Sequence, residues 1–476
     1  MSTVHPTSTT ITLDAGAIQE LRDSVRGDVL APGDPGYDGA RTIWNGMFDD
    51  RRPALVVRCA GVADVLRAVE LARSEGLEVA VRGGGHSIPG FSTVDGGIVI
   101  DLGPMKGARV DPVNRRVVAQ AGLQWHELDH ETQAFGLAST GGLISTTGIA
   151  GFTLGGGIGH LVRNLGLACD RLIGADVVTG DGRLVHAGIG SDDDADLLWA
   201  LKGGGGNFGV VTSLEYQLER IGPMIYGGAL FFAGDRAAEI LRFFREWSAS
   251  GLPDELTPII NLTTAPPAPF VPKELHGHPA VGVIACWSGP VEEGERQLAP
   301  VRELGGVALD LMGPMPYTAL QQMIDPLWAR GARNHMKAGY LDGLPDAAID
   351  RLVEGYLAKP TPECEIHIHL MGGAAGRVPA DAAAFPHRDA PFVLNLLSRW
   401  HDPAQDEAGL MWGRDTYTSV QEHTTGGAYI NYLDDEGAER VHDAYGDANF
   451  ARLQAIKAAY DPDNVFHRNQ NIPPAS

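Results

Sequence analysis

Hydrophobic and polar positions follow two periods in the first half of the chain. Short runs rich in β-branched residues, PALVVRC (53–59), LEVAVR (77–82), GIVIDL (97–102) and RRVVAQAG (115–122), predict strands. Between the first two, VADVLRAVELARSEG (62–76) spaces its apolar residues by three and four, which predicts a helix. Beyond residue 220 longer amphipathic segments take over, RAAEILRFFREWSAS (236–250) and DAAIDRLVEGYLAK (346–359), and mark a second unit. The texture changes again near residue 425, through GGAYINYLDD and a last helix in ANFARLQAIKAAYDP to NQNIPPAS; this tail is expected to fold back on the first unit. The division that follows is 1–222, 223–425 and 426–476, with TTAPPAPFVP (263–272) as a surface loop of the middle unit. No period of 20 to 50 residues repeats, so the pattern predicts an α+β protein and not a solenoid or propeller.

Glycine changes this picture, because it concentrates in four tracts of the first half: Gly83 to Gly85, Gly141 to Gly151, Gly155 to Gly159, and Gly203 to Gly209. Such tracts let backbone approach a ligand closely. In Val81-Arg82-Gly83-Gly84-Gly85-His86-Ser87 a predicted strand runs into successive N–H groups with no side chains over them, a nest suited to a pyrophosphate. No Gly-Lys-Ser/Thr follows, and Ser87 lacks the spacing of a nucleophile elbow. On pattern alone a glycine-rich turn with an incidental His86 is as good a reading as a cofactor loop. Gly204-x-Gly206-x-x-Gly209 matches the dinucleotide fingerprint literally, but it follows a helix and enters a strand, the reverse of what that fingerprint requires. In Glu365-Ile366-His367-Ile368-His369-Leu370 a strand would put Glu365, His367 and His369 on one face, either polar toward a site or solvated. His-x-His suggests a metal, but no further ligands are identifiable, and none is expected.

Composition narrows the partners. The 476 residues, 44% hydrophobic, suffice for two or three packed units and a large cofactor. A formal charge of -23 without a basic patch argues against nucleic acid and membrane surfaces. The first residues lack a basic and an apolar leader region, and no apolar run reaches membrane-spanning length, so a cytoplasmic protein is expected. Cys59, Cys169, Cys286 and Cys364 form no CxxC and read as free buried thiols. Asn261-Leu262-Thr263 fits a glycosylation sequon that has no meaning without secretion.

Five segments taken in order are more specific than any one: RGGGHS (82–87), TTGIAGFTLGGGIGHLVRNLGL (146–167), DLLWALKGGGGNFGVVT (196–212), AYINY (428–432) and IKAAYDPDNVFHRNQNI (456–472). Over roughly residues 40 to 475 the chain resembles the berberine bridge enzyme-like oxidases of the vanillyl-alcohol oxidase flavoprotein superfamily. The resemblance implies a two-subdomain, PCMH-type FAD-binding domain completed by the C-terminal segment, and a substrate domain whose antiparallel sheet covers the flavin. It implies FAD bonded covalently through His86, with Arg82, Gly83, Gly84, Gly85, Ser87, Thr146, Thr147, Gly148, Gly151, Gly155, Gly156, Gly159, Gly209, Val210, Val211, Tyr429, Asn469 and Asn471 around the cofactor. Some relatives add a cysteinyl bond; that position falls near Ile144 here and the nearest cysteine, Cys169, lies downstream, so one link is expected. Thr147 matches a position near the flavin that influences oxygen access.

Tyr432 matches the residue proposed as base in several relatives, with Glu365, His367 and His369 as helpers. A free phenol titrates near ~10, so its surroundings would have to stabilise phenolate. The implied reaction is hydride transfer from a small hydroxylated substrate, phenol-like or a sugar alcohol, with O2 as acceptor and H2O2 as product, in a monomer or homodimer. Rival readings are a dehydrogenase with another acceptor, an oxidative cyclase or flavin-oxygenating enzyme, and a protein that merely stores FAD.

Overall fold

The computed structural model of the chain describes residues 13–190, 194–269 and 271–475. Residues 1–12, where no leader was expected, and Phe270 of the Pro-rich segment lie outside them. Strands Leu55–Arg58, Ile98–Asp101 and Val79–Arg82 pair in parallel, joined at one edge by Asp28–Leu30. Helix Val62–Glu75 makes the crossover its apolar spacing predicts, burying Val65, Ala68, Val69 and Ala72, and stops at Gly76. A second, antiparallel sheet runs Ala108–Asp111, Arg116–Gln120, Val210–Gln217, Leu172–Val178, Leu184–Gly188. Both sheets share one hydrophobic core, which also takes in Tyr445, Leu453, Phe466 and Ile472, so the C-terminal segment does fold back. Its helix is longer than expected: Ala438–Tyr460, with a break at Gly446, where φ is 71°. The glycine splits the apolar spacing and hides the first half from a periodicity reading.

The middle of the chain forms an eight-stranded antiparallel sheet among the described residues. Its central strands, in spatial order, are Pro279–Trp287, Leu256–Thr264, Glu365–Leu370 and Phe392–Trp400. Period-two alternation decides what each face does. Ile260, Leu262, Ile366, Ile368, Leu394 and Leu396 pack against helices Ala237–Ala249, Asp346–Leu357 and Asp406–Val420 through Phe244, Leu352 and Trp412. The opposite face, with Glu365, His367, His369, Asn395 and Leu397, turns toward the first unit. Buried hydrogen bonds hold it there: Asn45 Nδ2 donates to Asn334 O (2.8 Å), Arg163 Nε to Leu256 O (2.8 Å), and Arg388 pairs with Asp170 (2.7 Å). The Pro-rich loop is less exposed than expected, because Ala265 and Val271 are buried beside Phe231 and Leu309.

Candidate functional site

The loop after strand Val79–Arg82 lines a cavity of about 330 Å³ between the glycine tracts and the sheet, within the usual range of ligand sites. Among the described residues the N–H groups of Gly83, Gly84, Gly85, His86 and Ser87 find no protein acceptor. A Cβ on Gly84 would sit 2.2 Å from Gly148 N and 2.5 Å from its Cα, so this loop and the Thr147-Gly148 turn touch backbone to backbone. Only glycine permits that approach. His86 closes the loop, stacked on Trp44 (centroids 4.9 Å apart, 18° between planes), with Nε2 3.1 Å from Thr146 Oγ1. Burial, assisted by the Arg330 charge, pulls His86 down to about 3, which keeps its imidazole neutral. Ser87 Oγ accepts from Phe91 N (2.9 Å).

Thr147, Gly148, Gly151, Gly209, Val211, Tyr429 and Asn469 also line the cavity. Seven expected cofactor residues stand off its wall, each for a visible reason, Thr146 because its hydroxyl is engaged with His86 Nε2. Arg82 is engaged in a buried ion pair with Asp101 (2.9 Å). Gly155 makes room for the Asn431 side chain, Gly156 for Phe385 and Tyr429, and Gly159 for the carbonyl of Gly141, only 1.7 Å from an ideal Cβ. Val210 is core. Asn471 is displaced from the wall, yet its Oδ1, like that of Asn469, is buried without a protein partner. Orphaned loop amides, glycines without room for a side chain and unpartnered amide oxygens are what a large polar cofactor threading the cavity would satisfy, so the residues present fit FAD.

Several wall residues carried no signal in the sequence: Trp44, Ile324, Trp328, Met336, Asn395 and Leu397. They come from distant segments and meet only in the fold; Trp44 Nε1 donates to Trp328 O (2.8 Å). Ile144 lines the cavity, whereas Cys169, free and buried like the other cysteines, does not.

The polar face of the strand is sealed from solvent: Glu365, His367 and His369 are 7%, 4% and 1% exposed. His367 Nε2 lies 2.8 Å from Glu365 Oε2, and Glu365 also accepts from Thr263 Oγ1 (2.5 Å) and Asn261 Nδ2 (3.4 Å). Asn261 is thus interior, which disposes of the sequon. His369 lies edge-on to His367 (6.0 Å) and tilted to Tyr432 (6.1 Å), while Tyr429 meets Tyr432 edge-on at 4.8 Å. Burial, with Tyr429 adding to it, drives the Tyr432 phenol far above its ordinary value, so the expected phenolate-stabilising surroundings are not provided by these residues. Tyr429 is occupied structurally, its hydroxyl accepting from Gly157 N (2.9 Å) and Ile158 N (3.2 Å). Among the described residues no three His, Cys, Asp or Glu side chains are placed to hold a metal, and no helix is long and apolar enough to cross a membrane.

Residues 53–188 match the family model of an FAD binding domain, and residues 428–473 that of berberine and berberine-like proteins. The chain is 30% identical over 460 residues to an uncharacterised FAD-linked oxidoreductase of Bacillus subtilis, covering 95% of this chain and 98% of that one. It is 30% identical over 486 residues to the (R)-6-hydroxynicotine oxidase of Paenarthrobacter nicotinovorans, covering 95% and 97%. The crystal structure of 6-hydroxy-D-nicotine oxidase from Arthrobacter nicotinovorans superposes with a TM-score of 0.85 at 28% identity, over 95% of this chain and 99% of that one. Cradle, sheet and full-length similarity agree, and the chain belongs to the berberine bridge enzyme-like family of FAD-linked oxidoreductases.

Proposed function

We propose that this enzyme is an oxidase that carries FAD on a single covalent bond to His86 and oxidises a small hydroxylated compound, with O2 as electron acceptor. The observation that carries this reading is the presentation of His86. Its imidazole is neutral and therefore nucleophilic, stacking on Trp44 fixes its plane, and Thr146 occupies Nε2, which leaves Nδ1 to form the bond. In the proposal the N–H groups of Gly83 to Ser87 hold the pyrophosphate, Gly148, Gly151, Gly209 and Val211 form the walls, and Asn469 meets the polar edge of the ring system. Bound there, FAD supplies a two-electron acceptor for the substrate's hydride and returns the electrons to O2 as H2O2. The absence of a cysteine at Ile144 supports one link. Residues 1–222 and 426–476 act as the cofactor unit and 223–425 as the substrate unit in this reading, which the shared core of the first two supports. The naming of a similar enzyme of known structure as an oxidase supports O2 as acceptor.

Between the cofactor walls and the sheet the lining is mostly apolar, with Leu143, Ile324, Trp328, Met336 and Leu397 against His367 and Asn395, which favours a compact ring over a polyol. The test is acid precipitation of purified protein, with visible and mass spectra of the pellet, for wild type and His86→Ala. A yellow pellet heavier by one FAD, colourless in the variant, is expected; flavin left in the wild-type supernatant overturns the covalent reading. Peroxide release from 4-hydroxybenzyl alcohol, 4-hydroxyphenethyl alcohol and glycerol then tests acceptor and substrate class, the two aromatic compounds being expected to react.

A further inference from the structure

Three groups on the substrate side are candidates to take the proton that leaves a hydroxyl as its carbon gives up hydride. Tyr432 holds its own proton tightly, as described. His369 is sealed: both ring nitrogens are buried without a partner, and burial, with His367 and His160 beside it, pulls it down to about 3. His367 differs in geometry. It lines the main cavity and also a narrow inner pocket of about 20 Å³, behind Trp328 and Ile324, where Asn261, His160 and Glu365 converge. Its Nε2 is engaged by Glu365, whose carboxylate is itself held by Thr263 and Asn261. Burial pushes the Glu365 carboxyl up, while the hydrogen bonds it accepts from His367 and Thr263 pull it down. A carboxylate on Nε2 fixes the proton there and leaves the lone pair on Nδ1, which makes no hydrogen bond among the described residues, in a ring that lines the cavity, the arrangement by which a carboxylate prepares an imidazole as base.

We propose that His367, oriented by Glu365, is the residue that accepts the substrate's hydroxyl proton, and that Tyr432 shapes the wall without taking it. The inference rests on the oxidase reading above. In the step the O–H bond breaks and an N–H bond forms at Nδ1; the O–H electron pair becomes the new C=O bond, and the C–H pair leaves as hydride to the cofactor. The imidazolium that results is neutralised by Glu365. Other ionisable groups around it are accounted for: His160 is held neutral by burial at about 4, Arg399 is paired with Glu363, and Lys359 Nζ is buried without a hydrogen-bond partner close to Glu365.

The experiment compares holoenzyme with its His367→Gln, Glu365→Gln and Tyr432→Phe variants by two readouts. In ¹⁵N-histidine-labelled protein, the resonance missing from His367→Gln is expected to report the Nε2–H tautomer at neutral pH, unchanged in Tyr432→Phe and lost in Glu365→Gln. An Nδ1–H tautomer in wild type overturns the proposal. In anaerobic flavin bleaching with whichever compound named above reacts fastest, His367→Gln is expected to lose about 100-fold or more in kcat, the range of general-base catalysis, with KM within fivefold. Glu365→Gln should lose about tenfold and alter the acid limb of the rate profile, because the imidazole loses the group that orients it. Tyr432→Phe should lose less than tenfold and keep that limb; a 100-fold loss there with the limb abolished, and His367→Gln within tenfold, assigns the proton to Tyr432 instead. Colour and FAD mass are read on every variant. Protein without FAD in the wild type would fail the oxidase reading, while the tautomer still decides the orientation of His367.

Discussion

Substituting Lys457 by Met tests how the C-terminal segment holds the cofactor walls. Lys457 and Asp461 lie one turn apart at the end of helix Ala438–Tyr460, and both side chains are 0% exposed. The ammonium donates to Asp461 Oδ2, to Asn207 O (2.7 Å) and to Phe466 O (3.1 Å). The Asp461 carboxylate also accepts from Val465 N and Phe466 N, both at 2.9 Å. Asn207 in turn donates to Gln470 O (3.1 Å) and accepts from Ile472 N (3.0 Å). One buried cation therefore ties the helix to two stretches of the cavity wall, Gly205 to Asn207 and Phe466 to Gln470. Met fills most of the volume but leaves Asp461 as a buried charge without its counter-ion, a loss of about 3–5 kcal/mol. With an unfolding entropy of about 2.1 cal/mol/K per residue, a chain of this size unfolding as one unit should melt about 3–5 °C lower. Adding Asp461→Asn removes the stranded charge and should restore about half of that. Scanning fluorimetry, read in both tryptophan and flavin channels, is the assay, and the flavin signal of Lys457→Met is expected to rise before the tryptophan transition. A melting point within 1 °C of wild type, with the two channels still coincident, would refute the reasoning.

Three other outcomes follow from single contacts. Gly84→Ala drives a Cβ into the backbone of Gly148, which cannot yield as a side chain would; protein that still folds should come out colourless, by absorbance at 450 nm per polypeptide. Thr146→Val removes the partner of His86 Nε2, and the fraction of flavin that stays on the polypeptide in a denaturing gel should fall by at least half. Burial raises Asp129 to about 7, against the hydrogen bond from Gln321 (3.1 Å). Its folded value thus lies above its unfolded one, so its contribution is complete below about pH 4 and is lost as pH rises through about 7, a change of about 4 kcal/mol at most. Asp129→Asn should therefore be more stable than wild type at pH 8 and nearly indistinguishable from it at pH 4 by thermal melts; the same difference at both pH values would exclude a buried titrating carboxyl.

The elements of the cofactor unit were legible because their causes are local. Residues 62–76 have helical apolar spacing and a glycine stop, and the short β-branched runs before and after them became strands of one parallel sheet. The reversed context of Gly204 to Gly209, helix before and strand after, was readable for the same reason and correctly argued against a Rossmann site. Alternation in Glu365 to Leu370 determined that three polar residues share a face. Whether that face met water or a ligand was beyond the sequence, since burial depends on the helices behind the sheet and the glycine unit in front of it. The same limit explains why Arg82, Gly155, Gly156 and Gly159 stood among the expected cofactor residues: a motif marks residues that must be what they are, and does not separate those that touch a ligand from those that let two backbones or a neighbouring side chain pack. Trp44, Trp328 and Asn395 reach one cavity from points far apart in the chain, so no local pattern could have named them. Local chemistry thus determined the strands, the helix stops and the cradle of amides, whereas long-range packing alone decided which polar groups are dry, which are paired, and so which of them is free to move a proton.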